Sequence, residues 1–317
     1  MVVIGTWNLE NLFRPGDGDG RPDPATYDAK LAALRDTITA IGPDVLAVQE
    51  VGDPEALDDL IARLPGEWHR TCSDHPDGRG IRVGFLSRLP LTVVADTVAL
   101  PAKLAPIQIA DPPAPLSGEL GRGVLTVTAA LAGGGTLTLI TCHLKSKLLS
   151  YPGNRFFPHG EDERARYGAY ALYRRTAEAA AVRELATAAL EPGEGERVIV
   201  LGDLNDEAAA ATTQILSGPP GSEIGTGGFA RDDAGDRLRL WNLAALIPDA
   251  ERYSRINNGR RELIDHILVS HALLAPLPEV HAVHDYDLPS VTEQPAAHVS
   301  KPGSDHAPVV ATFTLAG

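Results

Sequence analysis

The segment from Arg197 to Asp206, "RVIVLGDLND", sets a carboxylate, Asp203, and an amide, Asn205, two residues apart, just beyond a β-branched apolar run. Residues i and i+2 of an extended chain face the same way. Both groups therefore point together at the end of a strand, where open α/β sheets place their ligands. Other polar residues share this placement. Asn8 and Glu10 follow "VVIGTW", Glu50 follows "VLAVQ", and His143 follows "LTLITC" with Lys145 and Lys147 beyond it. Asp265 and His266 lie inside "ELIDHILVS", and Ser304, Asp305 and His306 precede "APVVATFTL". Each has an ordinary explanation when taken singly. Asn8 suits a turn cap, Glu50 an exposed strand end, His143 a bonded core histidine, Asp265 a partner for a nearby arginine. As a set they differ, because converging carboxylates crowd like charge unless a cation neutralises them. Hard oxygen donors from Asp and Glu suit Mg²⁺, which takes few carboxylates and keeps waters that a phosphate can displace.

Six segments in order, "TWNLENL", "VLAVQEV", "TCHLKSK", "VIVLGDLND", "LIDHILVS" and "GSDHAPV", span residues 6 to 309. In these the chain resembles the endonuclease/exonuclease/phosphatase family, which includes DNase I-like nucleases, abasic-site endonucleases, inositol polyphosphate phosphatases and neutral sphingomyelinases. The resemblance implies an α/β fold: a four-layer sandwich of two packed mixed β-sheets flanked by helices, as one domain over residues 1–317. It implies Mg²⁺ as cofactor, with Mn²⁺ as the alternative. Glu50 matches the main metal ligand. Asn8 falls in the metal and phosphate region, Glu10 where some relatives carry a second acidic ligand, and Asp305 where a further metal-side carboxylate is expected. His143 matches the residue that contacts the scissile phosphate or assists the leaving group. Asp203 matches the group that orients or deprotonates the attacking water, and Asn205 the holder of a phosphate oxygen. His306 matches a histidine that either takes a proton or binds the phosphate, and Asp265 the carboxylate that orients it.

These residue types suit phosphodiester hydrolysis, which needs an attacking water, stabilised equatorial oxygens and a stabilised leaving alkoxide. Arg122, Lys145 and Lys147 are candidates to meet phosphate oxygens. Lys145 and Lys147 are expected on one face beyond His143. Arg155, Arg164 and Arg166 suit a solvated loop and helix start, and Arg88 is open to either reading. A nuclease is the first expectation, with nucleic acid as partner; the alternative is a phosphodiesterase or phosphatase acting on small or lipid phosphoesters. "GDLND" lacks the valine-alanine-histidine continuation of abasic-site enzymes, and the "LIDHILVS" region lacks the tryptophan-rich, Asp-Arg pattern of inositol polyphosphate phosphatases. A net charge of −14 opposes non-specific polyanion binding and favours the alternative slightly. No exposed apolar hairpin is expected, so a lipid substrate is its weaker form. A non-catalytic binding protein on this scaffold would lack one of Glu50, Asp203, Asn205 or His306, and all are present.

These groups must be carried by strands. Val2 to Trp7, Asp44 to Val51, Ile81 to Leu86, Leu91 to Leu100, Val124 to Leu131, Thr136 to Cys142, Arg197 to Leu201, Leu263 to Ser270, Val280 to Asp285 and Pro308 to Leu315 read as strands. Gly133 to Gly135 read as a hairpin turn. Tyr27 to Ile41 reads as a helix ended by Gly42-Pro43, Pro54 to Leu64 as a second, and Asp162 to Leu190 as a long third. The third is expected to carry Tyr170, Tyr173, Ala177, Ala180, Ala181 and Leu185 on one side. Asp206 is expected to cap a short helix. Lys103 to Gly121 and Ser217 to Asp236 read as loops. "DGDGRPD", Asp17 to Asp23, is a poor calcium loop, with Pro22 at the glycine position. His271, His281, His284 and His298 are expected at the surface. The 44% hydrophobic content suits a globular chain, and no run is long enough to span a membrane. The start lacks a signal-peptide pattern, and Cys72 and Cys142 make no disulfide framework; a cytoplasmic location is the expectation.

Overall fold

The structure, a computed structural model, describes residues 1–17, 21–131, 134–153, 155–291 and 302–315. In chain order the elements are β1 (Val2–Leu12), α1 (Pro24–Ile41), β2 (Val45–Val51), α2 (Pro54–Ile61), β3 (His69–Cys72), β4 (Arg82–Ser87), β5 (Leu91–Ala99), β6 (Glu119–Ala130) and β7 (Thr136–His143). Then follow α3 (Glu161–Leu190), β8 (Arg197–Asp203), α4 (Ala211–Leu216), β9 (Trp241–Asn242), β10 (Arg255–Asn257), β11 (Arg260–Glu262), β12 (Asp265–Val269), β13 (Glu279–Ala282), β14 (Ser290–Val291) and β15 (Val309–Phe313).

Two six-stranded sheets carry the fold, ordered β13-β15-β1-β2-β4-β3 and β5-β6-β7-β8-β12-β9. Both are mixed: β1 and β2 are parallel, as are β7 and β8, and each pair has antiparallel neighbours. Strand alternation separates the layers. Ile199 and Leu201 of β8 face inward, meeting Ile4, Val45 and Phe85 of the other sheet. Val198 and Val200 face outward, against Ala177, Ala181 and Val182 of α3. On the far side Trp7, Leu46 and Val48 pack on Leu31, Leu34, Ile38 and Leu57 of α1 and α2. The result is helix, sheet, sheet, helix, as the sequence leads one to expect. A third sheet, β11-β10-β14, lies beside these.

Local sequence explains the boundaries. Asp23 caps α1, its Oδ1 accepting from the backbone of Ala25 at 2.8 Å and Thr26 at 3.0 Å, and Pro24 opens the helix. Gly42 closes it in the left-handed conformation. Gly202 answers a steric demand: at φ 150°, a Cβ there would lie 2.0 Å from the Cys142 carbonyl oxygen of β7. Only glycine lets β7 and β8 stay paired up to His143 and Asp203.

Some expectations fail. Tyr173 is exposed, while the charged Arg175 and Glu178 turn inward on α3. Asp206 caps no helix: α4 starts at Ala211, and Asp206 accepts instead from the Thr212 hydroxyl at 2.7 Å. Glu119 to Gly121 belong to β6 rather than to a loop. His284 is half-buried, stacked on Tyr253 at 4.0 Å between ring centroids. Gly133, His298 and part of the Asp17–Asp23 stretch lie outside the described residues. Both cysteines are free. Among the described residues no helix is long and apolar enough to cross a membrane.

Candidate active site

The ends of β1, β2, β7 and β8 and the turn before β15 open on one cleft of about 420 Å³. The backbone bends sharply there. Glu10 (φ 53°), Asn11 (φ 50°), Glu50 (φ 59°) and Asn205 (φ 54°) all occupy the left-handed region. Such backbones cost side-chain-bearing residues about 1–3 kcal/mol each and persist only where surrounding contacts impose them. Those contacts are present. The Glu10 amide donates to Asn8 Oδ1 at 2.9 Å, the Asn11 amide to Glu50 Oε2 at 3.0 Å, and the Asn205 amide to Asp203 Oδ1 at 2.8 Å.

One side of the cleft is dry and hydrogen-bonded. His306 Nδ1 lies 2.7 Å from Asp265 Oδ2, and both residues are buried. Asp203 Oδ2 accepts from Asn8 Nδ2 at 3.0 Å and lies 3.3 Å from His143 Nε2. Asn205 Nδ2 donates to the Leu144 carbonyl at 3.0 Å. The His306 carbonyl is clamped by Trp7 Nε1 at 2.7 Å and the Tyr286 hydroxyl at 2.6 Å. Burial disfavours the His306 imidazolium, but Asp265 and Asp305 outweigh it and push the group up to about 10. Burial, reinforced by Asp265, raises Asp203 well above the usual carboxylate range. Burial and then Arg122 hold His143 neutral, well below the usual histidine range. His143 and Asp203 thus approach at 3.3 Å as a neutral imidazole beside a carboxyl group rather than as an ion pair.

The other side is an acidic wall of the half-buried Glu10 and Glu50 and the buried Asp305, all lining the cleft. Each carboxylate faces a cation just beyond hydrogen-bond reach: Lys30 lies 3.8 Å from Glu10, Arg79 3.8 Å from Glu50, and Arg255 3.5 Å from Asp305. Among the described residues, Asp203, Asp265 and His306 form a group with ligand atoms all within 4.8 Å of one another. That triad is buried, and the charged His306 already compensates its carboxylates, so it needs no ion. Oxygen donors facing an open cleft are the better fit to a hard divalent cation, and Asn8, Glu10, Glu50 and Asp305 supply them.

The structure brings Asn8, Glu10, Glu50, Arg122, His143, Lys147, Asp203, Asn205, Asp305 and His306 onto the cleft. Asp265 stands behind His306, outside the lining. Lys145 does not reach the cleft. Its strand has ended, and its ammonium turns back to the carbonyls of Ser146 at 3.0 Å and Leu148 at 2.7 Å, so the common face expected with Lys147 is lost. Arg155, Arg164 and Arg166 are paired with Glu163, Glu161 and Asp111. Arg88 lies over the Trp68 ring.

Sequence reading missed Arg79 and Arg255, which line the cleft, and Lys30 beside it. It also missed two buried supports on α3. Glu178 accepts from the backbone of Gly121 at 2.9 Å and Lys145 at 2.6 Å. Arg175 donates to the Lys145 carbonyl at 2.9 Å and lies 3.2 Å from Asp206. A charged pair of positions on the apolar face of a helix was the available signal. Contrary to expectation, apolar side chains are exposed after β7: Leu148 on the cleft, then Phe156 and Phe157.

Two packed mixed sheets whose strand ends bring Asp, Asn, Glu and His onto one cleft define a phosphoesterase. The chain belongs to the endonuclease/exonuclease/phosphatase family, whose model matches residues 5–306. Among solved structures it is similar to truncated TDP2 from Caenorhabditis elegans, at 16% identity and a TM-score of 0.58, covering 99% of this chain and 97% of that one. It is similar to the human Nocturnin catalytic domain with bound sulfate, at 17% identity and a TM-score of 0.56, covering 99% and 94%. It is similar too to the mannosyl-6-phosphatase Bt3783 of Bacteroides thetaiotaomicron, at 15% identity and a TM-score of 0.57, covering 99% and 100%. At these identities the likeness is one of fold. No curated protein matches the sequence.

Proposed function

We propose that this chain, acting as one domain, hydrolyses phosphodiesters with a divalent cation, Mg²⁺ before Mn²⁺, and that nucleic acid is the first substrate class. The observation that carries the reading is the buried Asp265–His306 contact of 2.7 Å beside Asp203 at the floor of an acidic cleft. Asp265 holds the imidazole in one orientation and keeps it protonated, so His306 clamps a phosphate oxygen rather than taking a proton from water. Asp203, raised by burial, accepts the proton of the attacking water near neutrality. Its Oδ1 is fixed by the Asn205 amide and its Oδ2 by Asn8, which leaves its approach direction set before substrate arrives. Neutral His143 donates to the phosphate or the leaving oxygen, and Asn205 holds a non-bridging oxygen. Glu50, with Asn8, Glu10 and Asp305, would hold the cation, which when bound supplies charge for the developing oxyanions. Arg79, Arg122, Lys147 and Arg255 line the same cleft and meet flanking phosphates.

The second reading is a phosphatase for small phosphoesters. The net charge of −14 and the fold likeness to a mannosyl-6-phosphatase favour it. Purified protein with Mg²⁺ would be offered plasmid, single-stranded DNA, RNA, an abasic oligonucleotide, bis-p-nitrophenyl phosphate and mannose 6-phosphate. Strand cleavage lost with EDTA and in Glu50→Ala supports the nuclease. Release of phosphate from the sugar ester alone selects the second reading, and inactivity on all six with no metal binding removes both.

A further inference from the structure

We propose that Ser254, which lies outside the cleft lining, is the positioning residue that sets the Asp265–His306 contact. The proposal rests on the reading of that pair as part of the hydrolytic site. The two partners belong to different sheets. Asp265 opens β12 of the second sheet, and His306 lies in the turn before β15 of the first. Among the described residues no ladder joins those sheets, so strand pairing alone leaves the 2.7 Å contact unset. Among the same residues the Asp265 carboxylate makes one hydrogen bond, that to His306, and its other oxygen is buried without a partner. The place of this carboxylate therefore depends on what holds its backbone.

Ser254 is fully buried and reaches the backbone of both segments. Its hydroxyl oxygen accepts the Ile264 amide at 3.1 Å and the Asp265 amide at 3.2 Å, using both lone pairs. Its carbonyl accepts the amide of Ala307, next to His306, at 2.7 Å. One residue thus ties the chain at Asp265 to the chain at His306. The sequence places it there. Asn258 and Gly259, at φ 48° and 72°, make the two-residue turn that Asn-Gly favours between antiparallel strands. That turn sets the β10–β11 register, with Asn257 opposite Arg260 and Arg255 opposite Glu262. Ser254 therefore falls beside the residues that run into β12. Arg255 bridges His306, so the small third sheet holds the ends of the other two together. His306 is also fixed from its own side: its amide donates to Ser304 Oγ at 3.0 Å, and that hydroxyl donates to the Asn8 carbonyl at 2.6 Å. Substituting Ser254 removes its hydroxyl from the Asp265 amide and leaves its carbonyl on Ala307. Strand β8 still pairs with β12, so the loss shifts Asp265 against His306 rather than unfolding either segment.

The test has two arms. In metal-free protein, proton NMR is expected to show the His306 ring N–H that faces Asp265 far downfield, assigned by its loss in His306→Gln. Ser254→Ala is expected to move that signal upfield and to broaden it by exchange with water. With Mg²⁺ and bis-p-nitrophenyl phosphate, Ser254→Ala is expected to lose about tenfold in kcat, as a small misplacement of a positioned group does, with KM nearly kept. Added to His306→Ala, the same substitution is expected to cost no further kcat, because the contact it sets is already gone. Circular dichroism checks the fold, and Ser254→Cys, whose sulfur is a weak acceptor, replaces Ser254→Ala if that variant does not fold. A folded variant that keeps the wild-type signal overturns the proposal. So does an equal fold-loss of kcat in both backgrounds, which marks a structural role alone, and so does a wild type without the downfield signal. A wild type with the signal but no turnover of the ester removes the hydrolytic reading, and the signal alone then decides whether Ser254 sets the contact.

Discussion

The two sides of the cleft neutralise acidic side chains in opposite ways. At Asp265 and His306 the charges are buried, 2.7 Å apart and hydrogen-bonded. At Glu10, Glu50 and Asp305 the partners stand 3.5–3.8 Å away, out of hydrogen-bond reach and open to solvent on the arginine side. A buried pair is strongly coupled and poorly screened; an exposed one is weak and salt-sensitive. The difference teaches a division of labour. The dry side is hydrogen-bonded in place without any ligand, whereas the carboxylates of the wet side are met only by loose ion pairs that leave them available to a stronger cation.

The comparison can be broken most directly by activity. Glu50→Ala, or EDTA on the wild type, is expected to abolish hydrolysis, and full turnover in either would mean that the wall holds no essential ion. His306→Ala is expected to fold and to lose about 10²–10⁴-fold in kcat, the usual weight of a positioned acid–base or charge-stabilising group; unchanged kcat would break the clamp assignment. Asp265→Ala breaks a buried hydrogen-bonded pair, leaving His306 to give up its proton or remain uncompensated, and should cost about 3 kcal/mol in urea unfolding. By contrast Arg79→Ala, which loosens one exposed pair, should change stability by less than about 1 kcal/mol.

The pH dependence sharpens the same contrast. The folded His306 group titrates at about 10 against an ordinary value of 6.5. A raised value means that its stabilisation is complete below the ordinary value and disappears as pH climbs through the folded one. In metal-free protein, the stability gap between wild type and His306→Gln should therefore be widest below the ordinary value of 6.5 and close as pH rises through that upper value. A constant gap would show that His306 is not held charged. The smallest effect expected is on Arg79→Ala kinetics, a rise in KM of a few-fold with kcat nearly kept and a flatter salt dependence.

The strand-end residues were readable because their chemistry is local. Period-two alternation in "RVIVLGDLND" fixes which side chains of β8 point inward, and Gly202 marks where β7 must come close. The wall's cations were not readable. Lys30 looks like any surface lysine on an amphipathic helix, and only the packing of α1 beside Gly303 brings it to Glu10. Arg79 and Arg255 sit in turn-rich or short-strand sequence that carries no chemical pattern. Lys145 misled for the converse reason: the i, i+2 rule needs an extended chain, and β7 stops at His143. Arg175 and Glu178 were hidden inside an alanine-rich helix, where hydrophobic periodicity gives no account of a buried charge that serves backbone groups of neighbouring loops.

The bend at Glu50 sets tolerance to change against usefulness. Its left-handed backbone favours glycine, so Glu50→Gly should melt at a higher temperature than Glu50→Ala, although both lose the carboxylate. Selection of this chain for heat resistance alone would drift toward glycine at that position and erase the group most directly offered to a cation. Libraries built for robustness therefore need a functional screen at the ends of β1, β2 and β8, where durability and chemistry ask for different residues.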